Sequence, residues 1–142
     1  MKLGVAQFPN PVGEQNPVFS SGWSATDPTG FVWIEGAAGE CVCDMPPALV
    51  DLALEVDCFP LDPSAVVPQR LQLFVNGLFA GVRLLPKRSV LRFEIPKEWV
   101  TARQLRLALV PGTVEIPKLS GRSTDERPLS IGVFSLRLAN KL

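Results

Sequence analysis

Six side chains stand out for the chemistry they could do together. Trp23 and Trp33 could each offer a flat indole to the apolar CH face of a sugar ring. Asp27, Asn76, Asp125 and Arg127 carry the carboxylate, amide and guanidinium groups that bond sugar hydroxyls. Each has a plainer reading beside it. A Trp next to a Gly in a β-sheet often plugs a gap in the packing. An Asp and an Arg two positions apart on a loop often pair with each other or with nearby backbone. The residue types alone leave both readings open.

Other chemistries are poorly supplied. The 142 residues include no His, so neither a Ser-His-Asp nor a Cys-His arrangement can be assembled from this chain. Asp125 and Glu126 are adjacent, which does not make the spaced carboxylate pair that acid–base catalysis uses. The run Gly36–Gly39 lacks the Lys-Ser/Thr that follows a phosphate-cradling loop. We therefore expect a noncatalytic protein with no catalytic residues and no cofactor. The three cysteines make an odd number, unlike a secreted disulfide framework. Cys41 and Cys43 would share one face of a strand, where a direct bridge is strained. A zinc site would need further ligands, so no metal is expected. Small, partly buried thiols in a reducing compartment are the simplest account.

The elements that must position these residues are short. Phe31–Glu35 and Glu40–Asp44 read as strands. In Leu49–Cys58, Val50, Leu52, Leu54, Val56 and Cys58 alternate with Asp51, Ala53, Glu55 and Asp57, a period of two with one face wet. Phe59–Pro68 holds three prolines and reads as a loop. Leu71–Val75 and Leu78–Leu85 flank Asn76-Gly77, a strong hairpin signal because both turn positions tolerate positive φ. Ser89–Ile95 and Gln104–Val110 alternate again, Pro96–Ala102 could form one helical turn, and Val114–Ile116 could form a short strand. Leu119–Pro128 is a polar loop and Leu129–Leu138 the last strand.

There is no long amphipathic helix and no βαβ alternation. The expected fold is all-β: an antiparallel β-sandwich, jelly-roll-like, of seven to nine strands. The strands from Leu71 to Leu138 would pack against those from Phe31 to Cys58. Residues 1–18 read as an extended N-terminal arm and 19–142 as a single domain. No apolar run suggests a signal peptide or a membrane span, so a cytoplasmic location is expected.

Two segments carry a family likeness. In FSSGWSATDPTGFVWIEG the residues Phe19, Gly22, Trp23, Asp27, Gly30, Trp33 and Gly36 form one pattern. In SGRSTDERPLSIGVFSLRL the residues Ser123, Asp125, Arg127, Ile131 and Gly132 form another. With the hairpin LFVNG at Leu73–Gly77, these resemble a family of β-sandwich, carbohydrate-binding-like accessory domains. Such domains accompany bacterial glycosyltransferases and polysaccharide-assembly proteins. Asp27 stands where that family more often has Glu. The resemblance implies a noncatalytic accessory module in surface-polysaccharide production, with a glycan or a glycosyltransferase as its partner.

The charge distribution points to an alternative. The formal net charge is zero, which disfavours a nucleic-acid grip. Arg83, Lys87, Arg88 and Arg92 are clustered, but Arg92 alternates with apolar residues and reads as a wet strand face. Residues 1–69 hold one base and nine acids, a balance of −8. Residues 70–142 hold thirteen bases and five acids, a balance of +8. If the halves occupy opposite faces, the molecule is a dipole suited to homo-oligomers through charge-complementary halves. If they interleave, the charges neighbour each other on a mixed surface. The arm, with Val5, Phe8 and Val18, could also extend a neighbour's sheet.

Overall fold

The computed structural model describes residues 3–9, 16–101 and 103–141. Parts of the expected arm, residues 1–2 and 10–15, and Ala102 of the expected helical turn lie outside the described residues. Ten strands follow in order: β1 (Ala6–Gln7), β2 (Phe19–Ser21), β3 (Val32–Glu35), β4 (Gly39–Asp44), β5 (Leu52–Pro60), β6 (Gln69–Val75), β7 (Leu78–Leu85), β8 (Ser89–Ile95), β9 (Gln104–Pro111) and β10 (Leu129–Asn140). No helix is long and apolar enough to cross a membrane among the described residues.

The strands form two antiparallel sheets. The first has the order β1-β10-β5-β8, with β3 pairing the same strand β10; the second has the order β2-β4-β9-β6-β7. Alternation builds the core between them. Leu52, Leu54, Val56 and Cys58 of β5 and Leu91, Phe93 and Ile95 of β8 are buried from one side. Leu71, Leu73 and Val75 of β6 and Leu105, Leu107 and Leu109 of β9 are buried from the other. At about 25 cal/mol per Å² of apolar surface, this two-faced burial is the main stabilising term.

The all-β sandwich is as expected, but the count of ten exceeds seven to nine because β1 and β2 are only two and three residues long. Such short strands lie below the length at which alternation can be seen. Val114–Ile116 contributes a lone bridge, Glu115 to Leu129, rather than a strand. The helical turn is a 3-10 turn at Lys97–Trp99. Phe59 and Pro60, read as loop, continue β5 and pair with β10. Pro60 is tolerated because β8 pairs only as far as Cys58, so no partner on that side needs its missing N–H.

The two halves of the chain do not form opposing sheets. Acidic β5 lies between β10 and β8, both from the basic half. Ion pairs join the halves within one molecule: Asp57–Arg88, Glu40–Arg106, Asp62–Arg122 and Glu55–Arg137. In these four pairs the complementary charges meet inside a single copy, as on the mixed surface that interleaved halves would give.

β10 carries one irregularity that matters. Its register slips between Val133 and Ser135, a bulge that sends Leu136 and Leu138 inward after Ile131 and Val133. Phe134 and Ser135 are both left half-buried on the outer side.

Candidate functional site

The outer face of the first sheet carries an aromatic strip. In one cross-strand row, Trp33 of β3 pairs with Gly132 of β10, and Gly132 pairs with Phe59 of β5. Neighbours along β3 explain the direction of Trp33: Val32 and Ile34 are buried inward, so Trp33 and Glu35 point out. The glycine makes the row possible. A Cβ on Gly132 would lie 2.2 Å from Cζ of Phe59. With no side chain there, the Phe59 ring lies down over the backbone and meets Trp33 with centroids 5.3 Å apart.

Phe31 and Phe134 complete the strip. Phe31 stands edge-on to Trp33 at 5.2 Å and to Phe59 at 4.8 Å. Phe134, turned outward by the bulge, lies 5.4 Å from Phe59. All four rings are half-buried, so they hold one another in place while part of each surface meets solvent.

Charged groups close both ends. At one end Arg88 makes a two-bond contact with Asp57, at 3.2 and 3.1 Å. Its guanidinium carbon sits 3.9 Å from the Phe134 centroid. The hydrogen bond to Asp57, aided by that charge, holds the Arg88 pKa above its ordinary value. At the other end Arg127 clamps Asp125, with Nε to Oδ1 at 3.0 Å and Nη2 to Oδ2 at 2.7 Å. The Asp125 carboxylate is tied to the Arg127 backbone too, because the Arg127 N–H donates to Oδ1 at 2.9 Å. These bonds from Arg127 hold the Asp125 carboxyl down at about 2. Arg127 is correspondingly raised, first by its hydrogen bond to Asp125, then by the negative charge of Asp125, Glu35 and Asp27.

Asp27 sits in the turn that leads into β3. Its Oδ1 accepts from the Thr29 N–H at 2.9 Å and the Thr29 hydroxyl at 2.7 Å. Its backbone closes the loop that delivers Phe31 into the strip, with Asp27 N donating to Phe31 O at 2.7 Å. Gly30 takes φ +97° in this turn, a value that favours glycine.

Of the six residues singled out from sequence, Trp33 lies in the strip, Asp27 closes the turn that delivers Phe31 to it, and Asp125 and Arg127 pair with each other, with Arg127 in the field of Glu35 and Asp27. Trp23 and Asn76 lie elsewhere and have other tasks. Trp23 bridges Ile34 and so points to the core side. Its ring covers Gly39, where a Cβ would come within 2.6 Å, and its Nε1 donates to Glu40 O at 2.8 Å. Asn76 sits in the β6–β7 turn at φ 48°. Its amide donates to Trp99 O at 2.9 Å and its Oδ1 accepts from the Arg106 N–H at 2.9 Å, stitching three segments together.

Phe31, Phe59, Phe134 and Arg88 belong to this candidate site and were not among the residues the sequence singled out. The signal for Phe59 was present: it continues the wet face of Asp51, Ala53, Glu55 and Asp57 by one more step of two. The three cysteines are free. Cys41 and Cys58 are buried, and burial pushes the Cys58 thiol up to about 12 and Cys41 higher still.

No family model matches the sequence, and no curated protein matches it either. Solved structures share the fold at low sequence identity. A family 36 carbohydrate-binding module in complex with calcium and xylotriose superposes with a TM-score of 0.54 at 8% identity, covering 95% of this chain and 99% of that one. A family 36 module of a multidomain xylanase from the hindgut metagenome of Trinervitermes trinervoides gives 0.54 at 11% identity, over 97% and 99%. A family 35 module from an environmental isolate gives 0.53 at 13% identity, over 99% and 89%. The chain therefore has the β-sandwich fold of carbohydrate-binding modules.

Proposed function

We propose that this protein is a noncatalytic glycan-binding module, and that the aromatic strip of the first sheet is its binding surface. The observation that carries the reading is the Trp33–Gly132–Phe59 row, with ion pairs at both ends. Aromatic faces suit the CH side of a sugar ring, and fixed carboxylates and guanidinia suit its hydroxyls. The carbohydrate-binding modules that share its fold support the reading. The likeness of residues 19–36, 73–77 and 120–138 to glycosyltransferase-associated accessory domains supports a setting in bacterial surface-polysaccharide production. Three unpaired cysteines fit a cytoplasmic home for it.

The test is a glycan array of bacterial surface oligosaccharides, probed with the wild-type protein and with Trp33→Ala. Saturable binding that Trp33→Ala removes would uphold the reading. Binding left intact by Trp33→Ala, or none to any glycan, would overturn it.

A second reading, a protein-docking module with no sugar ligand, is favoured by strand β7. It is the free edge of the second sheet, and Leu78, Phe79, Val82 and Leu84 on it are all exposed, Leu84 by 62%. The one charge on the strand, Arg83, is half-buried with its guanidinium against Phe93, so it does little to blunt this edge. Light scattering across protein concentration, with Leu84→Glu as comparison, separates the readings. A dimer lost in Leu84→Glu would favour docking.

A further inference from the structure

At the pole of the sandwich away from the aromatic strip lies a cleft of about 300 Å³. It is walled by the start of β5, the end of β8, the 3-10 turn, β7 and the C-terminal end of β10. We infer that this cleft is a second, separate subsite for one neutral sugar unit.

The composition of the wall chooses the ligand class. Trp99 is its aromatic residue, set among Ala80, Ile95 and Pro96. Around them stand two carboxylates, Asp51 and Glu94, and two cations, Arg83 and Lys141. Their formal charges sum to zero, so the cleft offers no net charge to favour a phosphate, a carboxylate or a metal cation. Lys141 Nζ already donates to Glu94 Oε2 at 3.0 Å, so neither is an unpaired charge awaiting a counter-ion, while Glu94 keeps Oε1 to accept from a ligand hydroxyl. The remaining capacity is for hydrogen bonds of both kinds. Asp51 accepts one bond on Oδ1, from the Lys97 N–H at 2.9 Å, and retains Oδ2. Arg83 spends Nε on Arg92 O at 3.0 Å and Nη1 on Val82 O at 2.9 Å, and retains Nη2. Donors, acceptors and an apolar wall together match a polyhydroxylated ring better than any ion.

These groups are also held still. The Arg83 guanidinium lies 5.0 Å from the centroid of buried Phe93, and the Lys141 backbone N–H is bonded to Asp51 O at 2.8 Å. Groups fixed before binding lose little freedom on binding. The volume lies at the small end of the ~300–1,000 Å³ common for ligand clefts, which suits a single ring rather than a chain.

The experiment is an amide-nitrogen NMR titration of the full chain with D-xylose, D-glucose and D-galactose, with glycerol as control. The three tryptophans give three indole N–H signals, assigned from Trp→Phe variants. The expected result is a saturating shift of the Trp99 signal with at least one sugar and not with glycerol. The shift should persist in Trp33→Ala and weaken about tenfold in Glu94→Gln, the loss expected for one hydrogen bond to a charged group. Glu94 is exposed, so this variant tests the cleft without disturbing the core. A Trp99 signal that stays put, tracks glycerol, or is unchanged by Glu94→Gln would overturn the inference. Movement at Trp33 alone would sink this subsite and leave the aromatic strip standing. Movement at Trp99 alone would do the reverse.

Discussion

Trp23 and Trp33 stand on facing segments of one short ladder, and both are half-buried beside a glycine. Their surroundings have little else in common. Trp23 faces Ile34 and lies over Gly39 on the core side, with its indole N–H already given to Glu40. Trp33 is in the next row, where it meets Gly132 and Phe59 on the outer side, between two ion pairs. One step along a strand turns a packing plug into a platform. Residue type and a flanking glycine thus say little about an aromatic's task. The face it is dealt says more.

That contrast can be broken by substitution. The largest effect should come from Trp23→Ala, which removes a large ring packed on the core and one of the two side-chain hydrogen bonds to Glu40 O. We expect a loss of about 3 kcal/mol in urea unfolding. Trp33→Ala should lose about 1 kcal/mol, since its neighbours are other surface rings, while abolishing glycan binding. Equal losses in the two variants would collapse the distinction.

Next comes Gly132→Ala. Its Cβ would strike the Phe59 ring at 2.2 Å, so the ring must lift. A loss of about 2 kcal/mol is expected, with a changed near-UV circular dichroism spectrum and weaker glycan binding. An unchanged spectrum would mean that the row does not depend on its glycine.

Asn76→Ala sharpens the comparison from the other direction. It removes two turn-stitching hydrogen bonds, for an expected loss of about 1–2 kcal/mol, and should leave glycan binding as it was. A binding defect with intact stability would return Asn76 to the site.

The smallest effect should be in the acid response of the Asp125–Arg127 clamp. Its folded pKa, about 2, lies below the ordinary carboxylate value. The contribution of the clamp is therefore fully present above that ordinary value and is lost as pH falls through about 2. Thermal melts of wild type and Asp125→Asn should differ above about pH 4 and converge toward the lower value. A constant gap across the range would show that the clamp adds no pH-dependent stability.

Much of the architecture was legible because alternation reports directly on which face is buried. The strands Leu78–Leu85 and Ser89–Ile95 are found where the pattern places them. The pairing of strands was not, since nothing local in β5 says that its neighbours will be β8 and β10 rather than β4. The site was half-legible for the same reason. Asp125 and Arg127 are two apart and meet by local geometry alone. Trp33, Phe59 and Phe134 meet only because three distant segments share a row and a bulge. The bulge at Val133–Ser135 is one inserted residue, which leaves no distinctive mark in composition. The prolines misled at Phe59–Pro60 because the rule against proline in strands depends on a partner's length, a tertiary fact.

Strand β10 also sets the order in which the molecule can be completed. It pairs with β1, β3 and β5 at once, bringing Arg137 against Ala6 from nearly the other end of the chain. As a ribosome releases the chain, the strands that flank β10 emerge early and wait with open edges until the last of these residues appears. Such long-range closure makes for slow folding, in the millisecond-to-second range of sandwiches dominated by non-local contacts. The Trp33–Gly132–Phe59 row cannot exist before that moment, so the proposed binding surface is also a late marker of a finished fold.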